Sequence, residues 1–193
     1  MNERRAVCRL RWLLNENFRD GDLHAVLTYR EDNRPDEQQA RQNIEKLLRV
    51  LRKTAKKAGA ELRYIHATEY KRKKIHHHLI AAGVTLEQLR KAWPHGGVHV
   101  TPLYGGEYPA LAEYIVKETR KTFREQDAPF AKRWCASRNL RKPQIRVEAI
   151  PAESWSRSPR PMKGYMIVPD SIEMGTHEET GMPWMRYRMR RIE

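Results

Sequence analysis

Cysteine is nearly absent: the 193 residues hold only Cys8 and Cys135, which lie far apart and form no CxxC pair. That argues against a disulfide framework and a cysteine-rich zinc site, and it fits a reducing cytoplasm. No apolar run approaches the ~20 residues that a membrane span requires. The start of the chain, from Met1 to Leu14, is basic with one short apolar stretch. It has neither the apolar region nor the small-residue cleavage site of a signal peptide, so a cytoplasmic protein with no membrane partner is expected. Internal repeats, low-complexity tracts and a GxxxxGKS/T phosphate loop are also missing. Acidic residues are in deficit. Against 38 Lys and Arg stand 24 Asp and Glu, a net charge of +14, with a pI near 10.0. A surplus of that size points to a polyanion, because each neutralised phosphate releases counterions. No basic amphipathic helix with Trp or Phe on its apolar face stands out, which favours nucleic acid over an acidic membrane surface.

What is present alternates between strand and helix signals. His24 to Arg30 is β-branched and aromatic, as a strand requires. Asn33-Arg34-Pro35-Asp36 then reads as a turn, with Asp36 capping a helix over 36–58 whose Ala40, Ile44, Leu47, Leu48 and Leu51 recur at helical spacing. Gly59 closes it. Strands are predicted over 62–69 and 75–81, joined by the basic turn Tyr70 to Lys74. Thr85 caps a short helix through Trp93, Gly97 to Leu103 alternates as a strand, and Tyr108 or Pro109 opens a helix to about Phe123. The order β-α-β-β-α-β followed by a helix is that of an α+β, ferredoxin-like (split βαβ) antiparallel sheet, with helices on one face and the other open. Ile145 to Ile150 reads as one more strand and Pro151 to Pro161 as a linker, with Gly164 to Val168 a further short strand. The chain thus divides into a domain over 1–150, with its core at about 24–123, and an extension over 151–193 that is not a separate domain.

The histidine run His76-His77-His78 carries the first chemical signal. Side chains alternate faces along a strand, so His76 and His78 share one face and His77 takes the other. A hairpin register that sets Glu69 opposite His76 puts Ala67 opposite His78 and Ile65 opposite Ile80. A carboxylate then joins two imidazoles, with small Ala67 leaving room for an ion and open positions for water and a phosphate oxygen. A one-residue slip would dissolve this set. His77 and His66 are expected on the helix-covered side, and His24, His95, His99 and His177 have no comparable grouping.

In the late helix, Leu111 and Ile115 face the core while Tyr114 and Lys117 share another face, with Lys121 one turn further. A phenol attacks phosphorus only if its proton is lost or shared and the phosphate charge is offset. A lysine and a bound cation serve those needs. Taken alone, Tyr-x-x-Lys is an ordinary helical pattern.

With these residues assembled, the chain resembles the HUH endonucleases, the rolling-circle replication initiators (Rep proteins), and within them the phage and plasmid group that includes filamentous-phage gene II proteins. The family's first motif would match Val26-Leu27-Thr28-Tyr29-Arg30. Its His-hydrophobic-His motif would fall on His76-His77-His78, its acidic ligand on Glu69 and its Tyr-x-x-Lys motif on Tyr114-Ile115-Val116-Lys117. Ser137-Arg138-Asn139-Leu140 and Lys163-Gly164-Tyr165 also look like the ends of such phage-type chains. One departure is the imidazole of His77 where the family has an aliphatic residue, which leaves open a frame in which His77 is a ligand.

The resemblance implies nicking and rejoining of single-stranded or hairpin origin DNA through a 5′-phosphotyrosyl link to Tyr114. It implies Mg2+ or Mn2+ held by Glu69, His76 and His78, with Lys117 offsetting phosphate charge. DNA contacts would come from Tyr29, Arg30, Lys71, Arg72, Lys73, Lys74, Lys121 and Arg138. A host replication helicase and polymerase are implied partners, since no helicase segment is read in the chain. A relaxase or single-tyrosine transposase would use a similar site. A binding module of a different class would show stacking aromatics on the open sheet face.

Overall fold

The computed structural model describes residues 3–71, 74–105, 108–119, 133–149 and 156–192, apart from the side chains of Tyr70 and Lys71. Its first element is a helix ahead of the expected order. Glu3–Asn17 form α1, whose Ala6, Leu10 and Leu14 repeat every fourth residue and are fully buried. The strip is helical in spacing, but arginines crowd the turns between its apolar residues.

The rest of the first unit follows the predicted order. Strand β1 spans Leu23–Thr28, helix α2 Glu37–Lys57, β2 Arg63–Lys71 and β3 Lys74–Ala82. Helix α3 spans Leu86–Ala92, β4 Val98–Pro102 and α4 Pro109–Glu118. Asp36 caps α2 by accepting from the Gln39 amide at 2.7 Å. Thr85 and Gln88 cap each other's backbone at the start of α3. Both devices satisfy amides that a helix's first turn leaves without a partner. Gly59, just past α2, takes φ +70°, the left-handed value glycine accepts without a Cβ clash. The expected end of α4 near Phe123 lies outside the described residues.

The sheet runs β4-β1-β3-β2-β5, antiparallel throughout, with the short β5 (Cys135–Ala136) added to the edge of β2. Its first four strands have the ferredoxin-like order. One face carries Ala25, Leu27, Leu79 and Ala81 against the apolar stripe of α2 and Leu89 of α3. The other face was expected to be open and instead bears a second helical layer. There Ile65, Ala67, Ile80 and Ala82 cluster with Leu10 and Leu14 of α1 and with Ala112, Ile115 and Val116 of α4. The reason is α1, whose apolar stripe needs cover and contacts α4. Buried Asn17 ties this layer down, accepting from the Arg141 amide at 2.7 Å and donating to the Arg141 carbonyl.

The predicted strand over 145–150 does not form: residues 145–149 have no regular structure, and Ile145 and Val147 are exposed. Without an apolar surface to bury them, their β propensity has nothing to act on. The chain separates into compact units over Met1–Ile145 and Arg146–Glu193. The second unit contains two small antiparallel pairs, β6 (Tyr165–Ile167) with β9 (Met189–Arg191) and β7 (Glu173–Thr176) with β8 (Pro183–Arg186). Among the described residues no helix is long and apolar enough to cross a membrane.

Candidate functional site

The β2–β3 hairpin adopts the predicted register: Ile65 opposite Ile80, Ala67 opposite His78 and Glu69 opposite His76. Alternation then puts Glu69, His76 and His78 on the α1/α4 face. Glu69 Oε2 lies 2.9 Å from His76 Nε2 and 3.7 Å from His78 Nε2. One ligand atom from each of the three residues falls within 4.8 Å of the others. Donors about 2.1 Å from a common ion stand roughly 3.0–3.4 Å apart, so Glu69 and His76 are near that spacing and the His78 nitrogen would close by a few tenths of an ångström on binding.

The chemistry of the donors also fits a cation. His78 is fully buried, and neither ring nitrogen is hydrogen-bonded among the described residues. Burial first, then the neighbouring His76 and His24, pull its pKa down to about 3. The ring is therefore neutral at pH 7, with a lone pair to offer. His76 Nδ1 faces the Lys74 carbonyl at 3.4 Å, which favours the tautomer whose Nε2 lone pair points at Glu69. At 2.9 Å from a carboxylate oxygen, that nitrogen requires a proton or a cation between them.

Helix α4 delivers Tyr114 to the same place. Ala112, Ile115 and Val116 are buried against the sheet, which leaves Tyr114 at 42% exposure on the helix's flank. Its ring stands perpendicular to that of His78, with centroids 5.2 Å apart. Partial burial, then the charges of Glu118 and Glu69, raise its pKa, so the phenol keeps its proton in this state. Lys117, three residues on, is exposed on the same helix.

His77 is turned to the opposite face, and its two nitrogens are taken. Nε2 meets the Tyr29 hydroxyl at 2.9 Å and Nδ1 meets the Thr68 hydroxyl at 2.8 Å. Burial pulls its pKa down to about 3. The frame in which His77 joins the ligands is thereby removed. Tyr29, read as a DNA contact, belongs to this network too. It packs edge-on against Trp93 and His77, and desolvation raises its hydroxyl to about 12. Alternation along β1 aims it at the α2/α3 layer, away from Glu69.

The basic residues divide by position. Arg30, just past β1, and Lys74, at the start of β3, are exposed at the end of the sheet that carries Glu69 and His76. Arg138 follows β5, beside Tyr64, about 17 Å from Glu69 along β2 at ~3.3 Å per residue. Arg72, Lys73 and Lys121 lie outside the described residues, as does the side chain of Lys71. One neighbour escaped sequence reasoning. His24 stacks on His78 with centroids 5.7 Å apart, and its buried Nε2 has no hydrogen-bond partner among the described residues. Its place follows from β1 pairing with β3, where His24 faces Ile80, a contact that no local pattern encodes.

A family model described as replication-associated protein ORF2/gene II protein matches residues 22–123 of the chain. No curated protein and no solved structure gives a significant match.

Proposed function

The chain belongs to the replication-associated protein ORF2/gene II protein family, whose model covers more than half of its 193 residues, and from that premise we propose that it nicks and rejoins one strand of origin DNA to initiate rolling-circle replication. The observation that carries this reading is the convergence of Glu69, His76 and His78 with the Tyr114 ring 5.2 Å from His78.

In the proposed reaction the Tyr114 oxygen attacks the scissile phosphorus in line. The bond from phosphorus to the 3′ oxygen breaks, a 5′-phosphotyrosyl link forms, the phenol's proton passes to water, and the freed 3′ oxygen takes a proton from water to become the hydroxyl that can prime synthesis. Attack by the 3′-hydroxyl on the phosphotyrosine reverses the step and rejoins the strand. Glu69, His76 and His78 would hold Mg2+ or Mn2+, which supplies Lewis-acid polarisation of the phosphate when bound. The neutral His ligands admit Mn2+, and water and phosphate oxygens admit Mg2+. Burial, then Glu118 and then Glu69, raise the phenol's pKa, so a cation held at Glu69 would offset the last of these and ease loss of the Tyr114 proton. Lys117 offsets phosphate charge from the same helix, and Arg30 and Lys74 would steer the strand toward this end of the sheet.

A sheet-platform binding module is disfavoured because both sheet faces carry helices. The test is cleavage of single-stranded and hairpin oligonucleotides with Mg2+ or Mn2+. A covalent protein–DNA adduct should form, and Tyr114→Phe should abolish it while DNA affinity stays within about twofold. An adduct that persists in Tyr114→Phe overturns the nucleophile, and absence of metal-dependent cleavage overturns the activity.

A further inference from the structure

The far end of the sheet holds a second basic feature that the nicking site does not use. The last turns of α2 and the segment after β5 enclose a cleft of about 700 Å³. Arg52 and Lys56 line it from α2 and Arg138 from the segment after β5, with Tyr64 and the acidic Glu61 also in the lining. All three cations are exposed.

The cleft is built, not incidental. The Tyr64 amide donates to Ser137 Oγ at 3.1 Å, and the Ser137 amide donates to the Tyr64 carbonyl at 2.9 Å. The Asn139 side chain donates to the Leu62 carbonyl at 3.0 Å. These bonds stitch Ser137-Arg138-Asn139 onto the edge of β2, and so fix the backbone that presents Arg138. Behind the lining residue Glu61, Gly83 permits the close approach of the Glu61 carbonyl, which would lie 2.3 Å from any Cβ there.

We propose that this cleft is a second DNA subsite, which grips the sugar-phosphate backbone of a single strand at a distance from the nick. The inference rests on the origin-DNA reading above. Three cations and one carboxylate give a positive surface suited to phosphates. The volume matches one or two nucleotides, within the ~300–1,000 Å³ of small-ligand sites. A partly exposed tyrosine offers a base a face on which to stack. Glu69 lies about 17 Å away along β2 and on the other sheet face, because Tyr64 packs with the α2 layer while Ile65 and Ala67, which alternate in step with Glu69, pack with α1 and α4. A strand contacting both places must round the β2–β5 edge and spans more than roughly five nucleotides at ~3.4 Å per step.

The test uses the full chain with a chelator present, so that binding is read without cleavage. Fluorescence anisotropy of an oligothymidylate of about 15 nucleotides is followed against salt for the wild type and for Arg52→Ala/Lys56→Ala/Arg138→Ala. Each lost phosphate contact lowers the slope of log affinity against log salt by about 0.7. The triple variant should therefore lose about 2 from the slope and bind at least tenfold more weakly at low salt. A control variant, Arg157→Ala/Arg160→Ala/Lys163→Ala, removes three exposed cations elsewhere and should change the slope much less. Photocrosslinking of an iodouracil-substituted strand should label the peptide containing Tyr64.

An unchanged slope in the cleft variant, an equal loss in the control, or labelling that omits the Tyr64 peptide overturns the proposal. Failure to nick, with this binding pattern intact, would count against the Tyr114 chemistry and leave the cleft standing.

Discussion

Replacing His77 and His78 one at a time should separate two roles that three consecutive histidines conceal. His77 is fully buried, with Tyr29 and Thr68 hydroxyls at 2.9 and 2.8 Å. His77→Ala removes two buried hydrogen bonds, at about 1 kcal/mol each, and truncates a packed ring, at about 2–3 kcal/mol. The sum is about 4–5 kcal/mol, and at ~2–4 °C per kcal/mol for a chain of this size Tm should fall by roughly 8–20 °C. His78→Ala also opens a cavity, but it removes two buried nitrogens that lack hydrogen bonds, worth about 1–3 kcal/mol. Its metal-free stability should therefore change by only about 1 kcal/mol.

Added Mn2+ should separate the two variants by their response to the metal. At 100 times its dissociation constant a ligand that binds only the folded state stabilises by about 2.7 kcal/mol, or roughly 5–11 °C here. Wild type and His77→Ala should both show that rise, and His78→Ala and Glu69→Ala should lose it. Differential scanning fluorimetry with and without Mn2+ or a chelator reads all four proteins. If folded His77→Ala loses the metal-dependent rise, or His78→Ala keeps it, the division of the run between two faces is wrong.

Acid should weaken the fold before its carboxylates titrate. Burial pulls the His66 pKa down to about 4, so between pH 6.5 and 4 the unfolded chain binds the proton that the folded one refuses. Stability is complete above pH 6.5 and should fall by about 3 kcal/mol toward pH 4 from this residue alone. Urea unfolding across that window checks this, and His66→Gln should remove about one proton's share of the slope and leave the share of buried His77 and His78. Two glycines offer a paired test. A methyl on Gly59 (φ +70°) would meet nothing within 4 Å, whereas one on Gly83 (φ +84°) would meet the Glu61 carbonyl at 2.3 Å. Gly59→Ala should lose about 1 kcal/mol of stability from left-handed strain, and Gly83→Ala about 2–4 kcal/mol once overpacking is added. Equal losses by denaturant titration would refute the close approach. Lys117→Ala should slow adduct formation more than tenfold while leaving the Mn2+ stabilisation intact, as gel assays of the adduct alongside melting curves would show.

Much of the site was legible locally because a hairpin is local. Alternation along Ile75 to Ile80 and a short basic turn are enough to place Glu69 beside His76 and Ala67 beside His78. Capping residues such as Asp36 and Thr85 mark helix starts for the same reason: their hydrogen bonds reach only three residues along. The charge surplus, too, is a property of composition and needs no fold. Beyond that range the chain alone was mute or misleading. The stripe of α1 was masked by its arginines, and missing it left a sheet face open that α1 and α4 cover. Tyr29 sits in the motif next to the site, yet one step of strand alternation turns it to the other side of the sheet.

The sequence by itself determined the histidine pair, its carboxylate and the order of strands and helices, since these depend on periodicity and neighbours a few residues apart. Only the tertiary structure decided that Tyr114 stands against His78, that His24 stacks behind it, and that His77 is locked away by Tyr29 and Thr68. It also decided that Arg138 faces Arg52 and Lys56 across a cleft far from Glu69. Those contacts join segments tens of residues apart, and they exist because burying the apolar stripes of α1, α2 and α4 leaves their flanking side chains one place to stand.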